Sequence, residues 1–137
     1  MKIIDQIFCD DIRLEQRNKI SLMGIYSDRL VFLNQKNDEE NNRWPIIFKL
    51  GIFLRFKKEE TEIHPNKFEL QLMINNKSLP TFSGAFEARS TTNIINLAPT
   101  VHIPLELGTL GYSIKLLKDQ SVLFEEVRKD ALLIVSE

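Results

Sequence analysis

Acidic residues near the start of the chain are the first side chains whose types and spacing could support binding chemistry. Asp10 and Asp11 are adjacent, and Asp28 follows a short distance along the chain. Three more acids lie in the polar segment NQKNDEENN: Asp38, Glu39 and Glu40. Ca²⁺ takes about six to eight oxygen ligands, which acids clustered at one end of a domain can supply. One hypothesis is therefore a calcium or small-ligand site.

The same acids also have a structural interpretation. Asp11 and Arg13 are two positions apart, so they share one face of a strand and can form an ion pair. Asp10 falls on the apolar face, where a buried carboxylate would need a partner such as Lys19 or Arg13 to offset its lost hydration. The polar cluster would then fix the register of the first two strands. The candidate binding residues are Asp10, Asp11, Arg13, Lys19 and Asp28.

Nucleophilic and metal chemistry have little support in this sequence. The single cysteine, Cys9, precedes two acids that oppose thiolate formation, so we expect an inert, buried side chain. The two histidines, His64 and His102, are far apart in the chain, and we expect no shared metal site. No glycine-rich phosphate loop, nucleophile elbow, CxxC pair or HExxH motif occurs. We therefore expect a protein that is not an enzyme and uses no cofactor or metal.

Composition and charge are those of an ordinary globular protein. The 137 residues correspond to a single domain, residues 1–137, with 43% hydrophobic and 27% charged residues. The net charge of -1 provides no positive field for a polyanion, which disfavours nucleic-acid binding. Early acids interrupt any signal-peptide core, and no apolar run is long enough to span a membrane. We expect a cytoplasmic protein that binds neither nucleic acid nor membranes.

Alternation of apolar and polar residues predicts strands along most of the chain. It is clearest from Ile46 to Phe56, where every even position is apolar. That run is long for one strand, so Gly51 predicts a bulge or bend within it. Further strands are predicted at 3–14, 20–26, 30–33, 68–74, 82–86, 101–107, 112–116 and 122–124. Breaks are predicted at the charged run KKEETE (57–62), which we expect to be a solvated strand end, at the tight turn Asn75-Asn76 and at 108–111.

The last segment, 122–135, fits two structures. Leu123, Val127, Ala131 and Ile134 keep helical spacing, whereas Leu132 to Val135 equally fit a closing strand. We predict the strand, as the second half of a terminal hairpin. Eight or nine strands without a helix are typical of an antiparallel two-sheet sandwich. We predict an immunoglobulin-like Greek key within this all-β class, with a C2-like sandwich or a jelly roll as the alternatives.

The opening of the chain also carries a motif of fixed spacing, D-D-I-R…K-x-S-x-x-G-I-Y. Its matching residues are Asp10, Asp11, Ile12, Arg13, Lys19, Ser21, Gly24, Ile25 and Tyr26. Up to Leu33, the chain resembles an uncharacterised bacterial family of unknown function that has this motif. The resemblance implies kinship, and it transfers no catalytic or binding residue.

The fold class and the lack of catalytic motifs favour a protein that binds another protein. An edge strand of a sandwich can pair with an extended peptide or with a second copy of the chain. We therefore predict a non-enzymatic interaction module acting through sandwich loops or an edge strand. Its simplest form is a homodimer, and the apolar tail Ala131 to Val135 is a candidate edge. The alternative is a sandwich that binds calcium or a small ligand through the acids above.

Overall fold

The computed structural model describes residues 1–32, 46–85 and 93–136. Within these residues, two β-sheets pack into a β-sandwich, and a short 3₁₀ turn, Gln16–Asn18, joins the first two strands. The strands are β1 (Lys2–Leu14), β2 (Ile20–Tyr26), β3 (Arg29–Phe32), β4 (Ile47–Lys57), β5 (Lys67–Ile74), β6 (Lys77–Ser78), β7 (Phe82–Ala85), β8 (Ile94–Leu97), β9 (Thr100–Pro104), β10 (Gly108–Lys118) and β11 (Ser121–Ser136). The described residues contain no helix long and apolar enough to cross a membrane.

Each sheet has long inner strands, and in each sheet one of the two outer edges is divided between two short strands. The first sheet has the order β2-β1-β4, and β8 and β9 share the far side of β4. Between β8 and β9, the carbonyl of Pro99 accepts a hydrogen bond from the Ile52 amide at 3.0 Å. The second sheet has the order β3-β11-β10-β5, with β6 and β7 both beside β5. Of the described pairings, only β3 with the end of β11 is parallel.

The hydrophobic core lies between the two sheets and is built from alternate residues of their strands. In β4 the inward residues are Leu50, Ile52, Leu54 and Phe56, and all four are fully buried. In β5 they are Phe68, Leu70, Leu72 and Ile74. Burying a side chain of this size contributes about 1.5–3 kcal/mol, so the alternation supplies the force that holds the sheets together.

Most predicted strands are present, and the ambiguous tail is a strand. β2 has the predicted bounds, and 122–135 lies within β11, which forms a hairpin with β10. The predicted turn at Asn75-Asn76 is confirmed by φ angles of 51° and 66°. The positive φ suits asparagine, which tolerates the left-handed region better than most residues.

Four details of the prediction are wrong. The predicted break at 108–111 lies inside β10, because Gly108 and Gly111 both continue the strand. β4 is uninterrupted at Gly51, and the irregularity lies instead in its neighbours, where Pro99 separates β8 from β9. β8 itself was not predicted. The run KKEETE is not fully solvated, because Lys58 is only 6% exposed and donates to the carbonyls of Glu59 and Glu62, each at 3.1 Å.

The C-terminal tail is not a free edge. Leu133 pairs with Thr109 of β10 on one side and with Arg29 of β3 on the other. The expectation that Ala131 to Val135 offers an edge for docking is therefore wrong, because two strands already cover this part of β11.

Candidate functional site

The first polar cluster of the opening motif lies on the β1–β2 hairpin. Phe8 pairs with Tyr26, and Asp10 lies two positions further along β1, beside Gly24. The Tyr26 hydroxyl donates a hydrogen bond to Asp10 Oδ1, and Asp10 Oδ2 occupies the space where a side chain at position 24 would begin. Gly24 also has a φ of +68°, which favours glycine. We call Asp10, Gly24 and Tyr26 the hairpin clasp.

The tyrosine of the clasp acts as a hydrogen-bond donor. Burial, and then the hydrogen bond to Asp10, raises the pKa of Tyr26 well above its usual range. Tyr26 is therefore a neutral phenol at physiological pH and holds Asp10 in place. A catalytic acid would need a pKa near the working pH, so this geometry does not suit proton transfer.

Asp11 belongs to a second, separate polar contact. Lys49 Nζ donates to Asp11 Oδ1 at 2.6 Å, and Arg13 Nε donates to Oδ2 at 3.5 Å. Lys49 lies on β4, so the ion pair joins β1 to the neighbour opposite β2. The hydrogen bond from Lys49 lowers the pKa of Asp11. The predicted pairing of Asp11 with Arg13 is present, but Lys49 is the closer partner.

The remaining candidate residues lie away from the clasp or face solvent. Asp28 lies between β2 and β3, where Ser27 Oγ donates to its Oδ1 at 3.3 Å and Arg29 Nε lies 3.7 Å from the same oxygen. Lys19 is exposed at the start of β2. Asp10 is exposed and pairs with Tyr26, so neither Lys19 nor Arg13 supplies the partner that burial would have required.

The acids do not assemble into a calcium-binding arrangement in the part of the chain that the structure describes. There, no group of three or more His, Cys, Asp and Glu side chains could hold a metal ion. The acids of the NQKNDEENN segment lie outside the described residues. Asp10, Asp11 and Asp28 each already accept a hydrogen bond from a side chain of the same protein. This geometry favours a structural role for the three aspartates.

Cys9 and the histidines are separate features of the fold. Cys9 is fully buried, and its Sγ donates to the carbonyl of Asp11 at 3.4 Å. Burial, and then the nearby Asp10 carboxylate, raises the pKa of the thiol, so it is a poor nucleophile at neutral pH. His64 lies between β4 and β5, and burial lowers its pKa. His102 is exposed on β9, where it pairs with Lys49 of β4.

A polar contact between the two sheets was not anticipated from the sequence. Gln6 Oε1 on β1 accepts a hydrogen bond from the Tyr112 hydroxyl at 2.5 Å and another from Arg128 Nη1 at 3.1 Å. Tyr112 on β10 is fully buried, and Arg128 on β11 also donates to Glu126 at 2.7 Å. We call Gln6, Tyr112 and Arg128 the inter-sheet link. Its one sequence signal is that Gln6 shares the inward face of β1 with Phe8.

An apolar cleft of about 310 Å³ lies where β9 approaches β6 and β7. Its lining includes the core residues Leu70, Leu72, Val101 and Ile103. The cleft is at the edge of the first sheet opposite β2, so the width of the sheet separates it from the aspartates of the hairpin. The candidate acids therefore do not line this cleft.

The outer edges of the sheets, as far as the structure describes them, carry different degrees of protection against pairing with another chain. Pro99 interrupts the β8–β9 edge, Pro80 interrupts the β6–β7 edge, and β3 is four residues long and begins with Arg29. Prolines, charged residues and short strands all discourage edge-to-edge pairing. These three edges are therefore poor docking sites for an extended strand.

β2 lacks those protections. It has seven residues, ISLMGIY, with no charge and no proline, and among the described strands it pairs only with β1. Met23 and Ile25 on its outer face are 43% and 57% exposed. Its backbone register with β1 continues on both sides of Gly24. Of the described edges, β2 is thus the one most open to pairing with another strand.

Comparisons with known proteins assign no role to the hairpin or to its edge. No protein-family model matches the chain, and no curated protein matches it at a significant level.

Proposed function

We propose that the protein is a non-enzymatic interaction module whose β2 edge binds an extended segment of a protein partner. The observation that carries this proposal is the uncharged, proline-free seven-residue edge of β2. An edge strand presents backbone amides and carbonyls that an added strand can satisfy, which provides affinity with little dependence on sequence. The exposed side chains of Met23 and Ile25 then supply contacts that select the partner.

The contacts around the hairpin support this role because they keep the β2 edge ordered in the absence of a partner. The hairpin clasp fixes β2 to β1, and the ion pair of Asp11 with Lys49 fixes β1 to β4. A binding strand that is already ordered loses less conformational entropy on association than a flexible loop does. The polar motif and the binding edge therefore have complementary roles in one hairpin.

For the sandwich itself we propose an immunoglobulin-like Greek-key connectivity. The chain changes sheets after β2, β3, β4, β7 and β9. Strands distant in the sequence become neighbours, as β1 does with β4 and β5 with β10. Repeated crossing and non-consecutive antiparallel neighbours are features of Greek-key sandwiches, and they support this assignment.

Selection of peptides from a random library on the immobilised protein tests the binding role. We expect enriched peptides with alternating apolar residues, and we expect Met23→Lys to weaken their binding about tenfold or more, because an edge lysine opposes strand addition. Leu133→Lys is the matched control. Leu133 is 44% exposed, close to the 43% of Met23, but β10 and β3 already cover its strand.

The measurement is peptide affinity by fluorescence anisotropy at protein concentrations low enough to keep the chain monomeric. Loss of binding in Met23→Lys with retention in Leu133→Lys supports the β2 edge. Equal binding by both variants, or no enriched peptide, would contradict the proposed role of β2.

A further inference from the structure

We infer that the strand bound by β2 is β2 of a second copy of this chain, in an antiparallel pairing centred on Met23. This inference rests on the proposed function, and it adds the identity and register of the partner strand. The first sheet of one copy and the first sheet of the other would then form one continuous sheet across a two-fold axis.

Symmetry restricts how two copies of β2 can pair. Residues directly opposite each other in an antiparallel pair point to the same face of the sheet, so a two-fold axis perpendicular to the sheet must pass beside one residue that faces its own copy. Met23 is the middle residue of Ile20–Tyr26. The register centred on Met23 is therefore the one that pairs all seven residues of each strand.

The exposed apolar residues of β2 support the same register. In it, Met23 faces Met23 of the second copy, and Ile25 faces Ser21 of the second copy. Met23 and Ile25 are 43% and 57% exposed in the single chain. The symmetric pairing brings both residues of each copy into one apolar strip on the outer face, where neighbouring and diagonal side chains interact. Two separate apolar patches thus become one continuous strip whose side chains contact each other across the pairing.

Charges at the two ends of β2 favour the antiparallel direction. Lys19 immediately precedes the strand, and Asp28 follows it by two residues. In the register centred on Met23, Lys19 lies opposite Ser27 of the second copy and so next to its Asp28. A parallel arrangement would place Lys19 beside Lys19 and Asp28 beside Asp28. Opposite charges would meet twice in the symmetric pair, because each copy contributes one cation and one anion.

Light scattering from micromolar to millimolar concentration tests the second copy as the partner. We expect the wild-type protein to shift from monomer to dimer as concentration rises. Met23→Lys should stay monomeric, because the pairing would oppose two lysines at the axis, and Leu133→Lys should still dimerise. A monomeric wild-type protein overturns the inference. So does a Met23→Lys variant that dimerises as well as the wild type, because the dimer then uses another surface.

Cysteine cross-linking tests the register. Met23→Cys should form a disulfide-linked dimer when a thiol oxidant such as diamide is added, because opposed residues have Cα atoms about 4.5–5.5 Å apart. Ile25→Cys should not, because its two copies would lie four residues apart along the strands, on the order of 14 Å. Both variants are made in a Cys9→Ala background, because Ile25 pairs directly with Cys9 across the hairpin and a cysteine at position 25 would otherwise be able to form an intramolecular disulfide. Efficient cross-linking at position 25 with none at position 23 overturns the register.

Charge reversal gives a third, independent test. Lys19→Glu and Asp28→Lys should each weaken dimerisation about 2- to 10-fold at low salt, and the double variant should recover most of the loss. Lack of recovery contradicts the contact between Lys19 of one copy and Asp28 of the other.

If the wild type is monomeric while selected peptides still need an intact β2 edge, the second copy is excluded and the binding role survives. If peptides bind independently of β2, the proposed function itself is contradicted, and so is the inference that rests on it.

Discussion

The hairpin clasp and the inter-sheet link use a tyrosine hydroxyl in two different ways. Tyr26 joins neighbouring strands of one sheet through an exposed hydrogen bond to Asp10. Tyr112 is fully buried and joins strands of different sheets through Gln6. Water can replace the partner of an exposed hydroxyl, but a buried hydroxyl that loses its partner retains the full cost of desolvation. We therefore expect the inter-sheet link to contribute more to stability, and the clasp to determine the local shape of the hairpin.

The hairpin clasp and the inter-sheet link also differ in how far apart their residues lie in the sequence. The residues of the clasp belong to one compact motif, so they lie within one short segment of the sequence. Gln6 and Arg128 of the link are 122 positions apart and belong to no motif. The more visible polar cluster is thus the one in contact with water. The conspicuous motif in this chain marks the local geometry of one hairpin, whereas the residues of the buried contact between the sheets are dispersed in the sequence.

Replacing the shared acceptor of the link should have the largest effect. Gln6→Leu keeps a similar volume but leaves the Tyr112 hydroxyl and one Arg128 donor without their acceptor, so we expect a loss of about 2–3 kcal/mol. Tyr112→Phe removes the buried donor itself and should cost only about 1 kcal/mol. Urea unfolding followed by circular dichroism measures both. A Gln6→Leu loss no greater than that of Tyr112→Phe would show that the link is not a shared buried contact.

Alkaline pH provides a check on the same residue. Burial raises the pKa of Tyr112 to about 12, whereas a tyrosine in an unfolded chain titrates near ~10. Above about pH 10, unfolding therefore releases a proton, and the free energy of unfolding falls as the pH rises. Tyr112→Phe should fall less steeply over this range than the wild type. An unchanged slope would mean that Tyr112 does not hold its proton more tightly in the folded state.

Gly24→Ala tests whether the clasp determines backbone geometry. At a φ of +68° an L-residue is strained by roughly 1–2 kcal/mol, and its Cβ would meet the Asp10 carboxylate. Thermal unfolding should show this loss of stability. The loss caused by Gly24→Ala should be smaller in an Asp10→Ala background, where the carboxylate is absent. The remaining cost would measure the backbone strain alone. A neutral Gly24→Ala variant would show that the hairpin does not depend on this conformation.

The sequence was sufficient to predict the fold class because the alternation of side chains depends on local pattern alone. β2 and the turn at Asn75-Asn76 follow from such patterns. β8 was missed because it is four residues long and Pro99 separates it from β9, so neither piece shows a long alternation. Gln6 and Tyr112 could not be paired for a different reason. Periodicity indicates which face a residue occupies, but it does not identify the opposing residue on another sheet.

The ambiguity of the tail comes from the spacing of its apolar residues. Val127 and Ala131 are four residues apart, an interval that fits one face of a helix and, because it is even, one face of a strand as well. In the structure the segment is a strand because it pairs with β10. The register of that pairing shifts between Leu110–Leu132 and Tyr112–Arg128, so β11 contains two more residues than β10 over this interval. Such a shift becomes visible only when the partner strand is known.

Asp11→Asn should have the smallest effect of these substitutions, because the ion pair with Lys49 is partly solvated and water can replace it. We expect the unfolding midpoint to fall by about 2 °C or less near neutral pH. The pKa of Asp11 is lowered from 3.8 in the folded protein, first by the Lys49 hydrogen bond. Its stabilising contribution is therefore present above about pH 4 and is lost as the pH falls through the folded pKa. Wild-type and variant melting curves should converge in acid and at high salt. If the difference persists in acid and at high salt, Asp11 stabilises the fold as the buried inter-sheet link does. The contrast between exposed and buried polar contacts in this fold would then no longer hold.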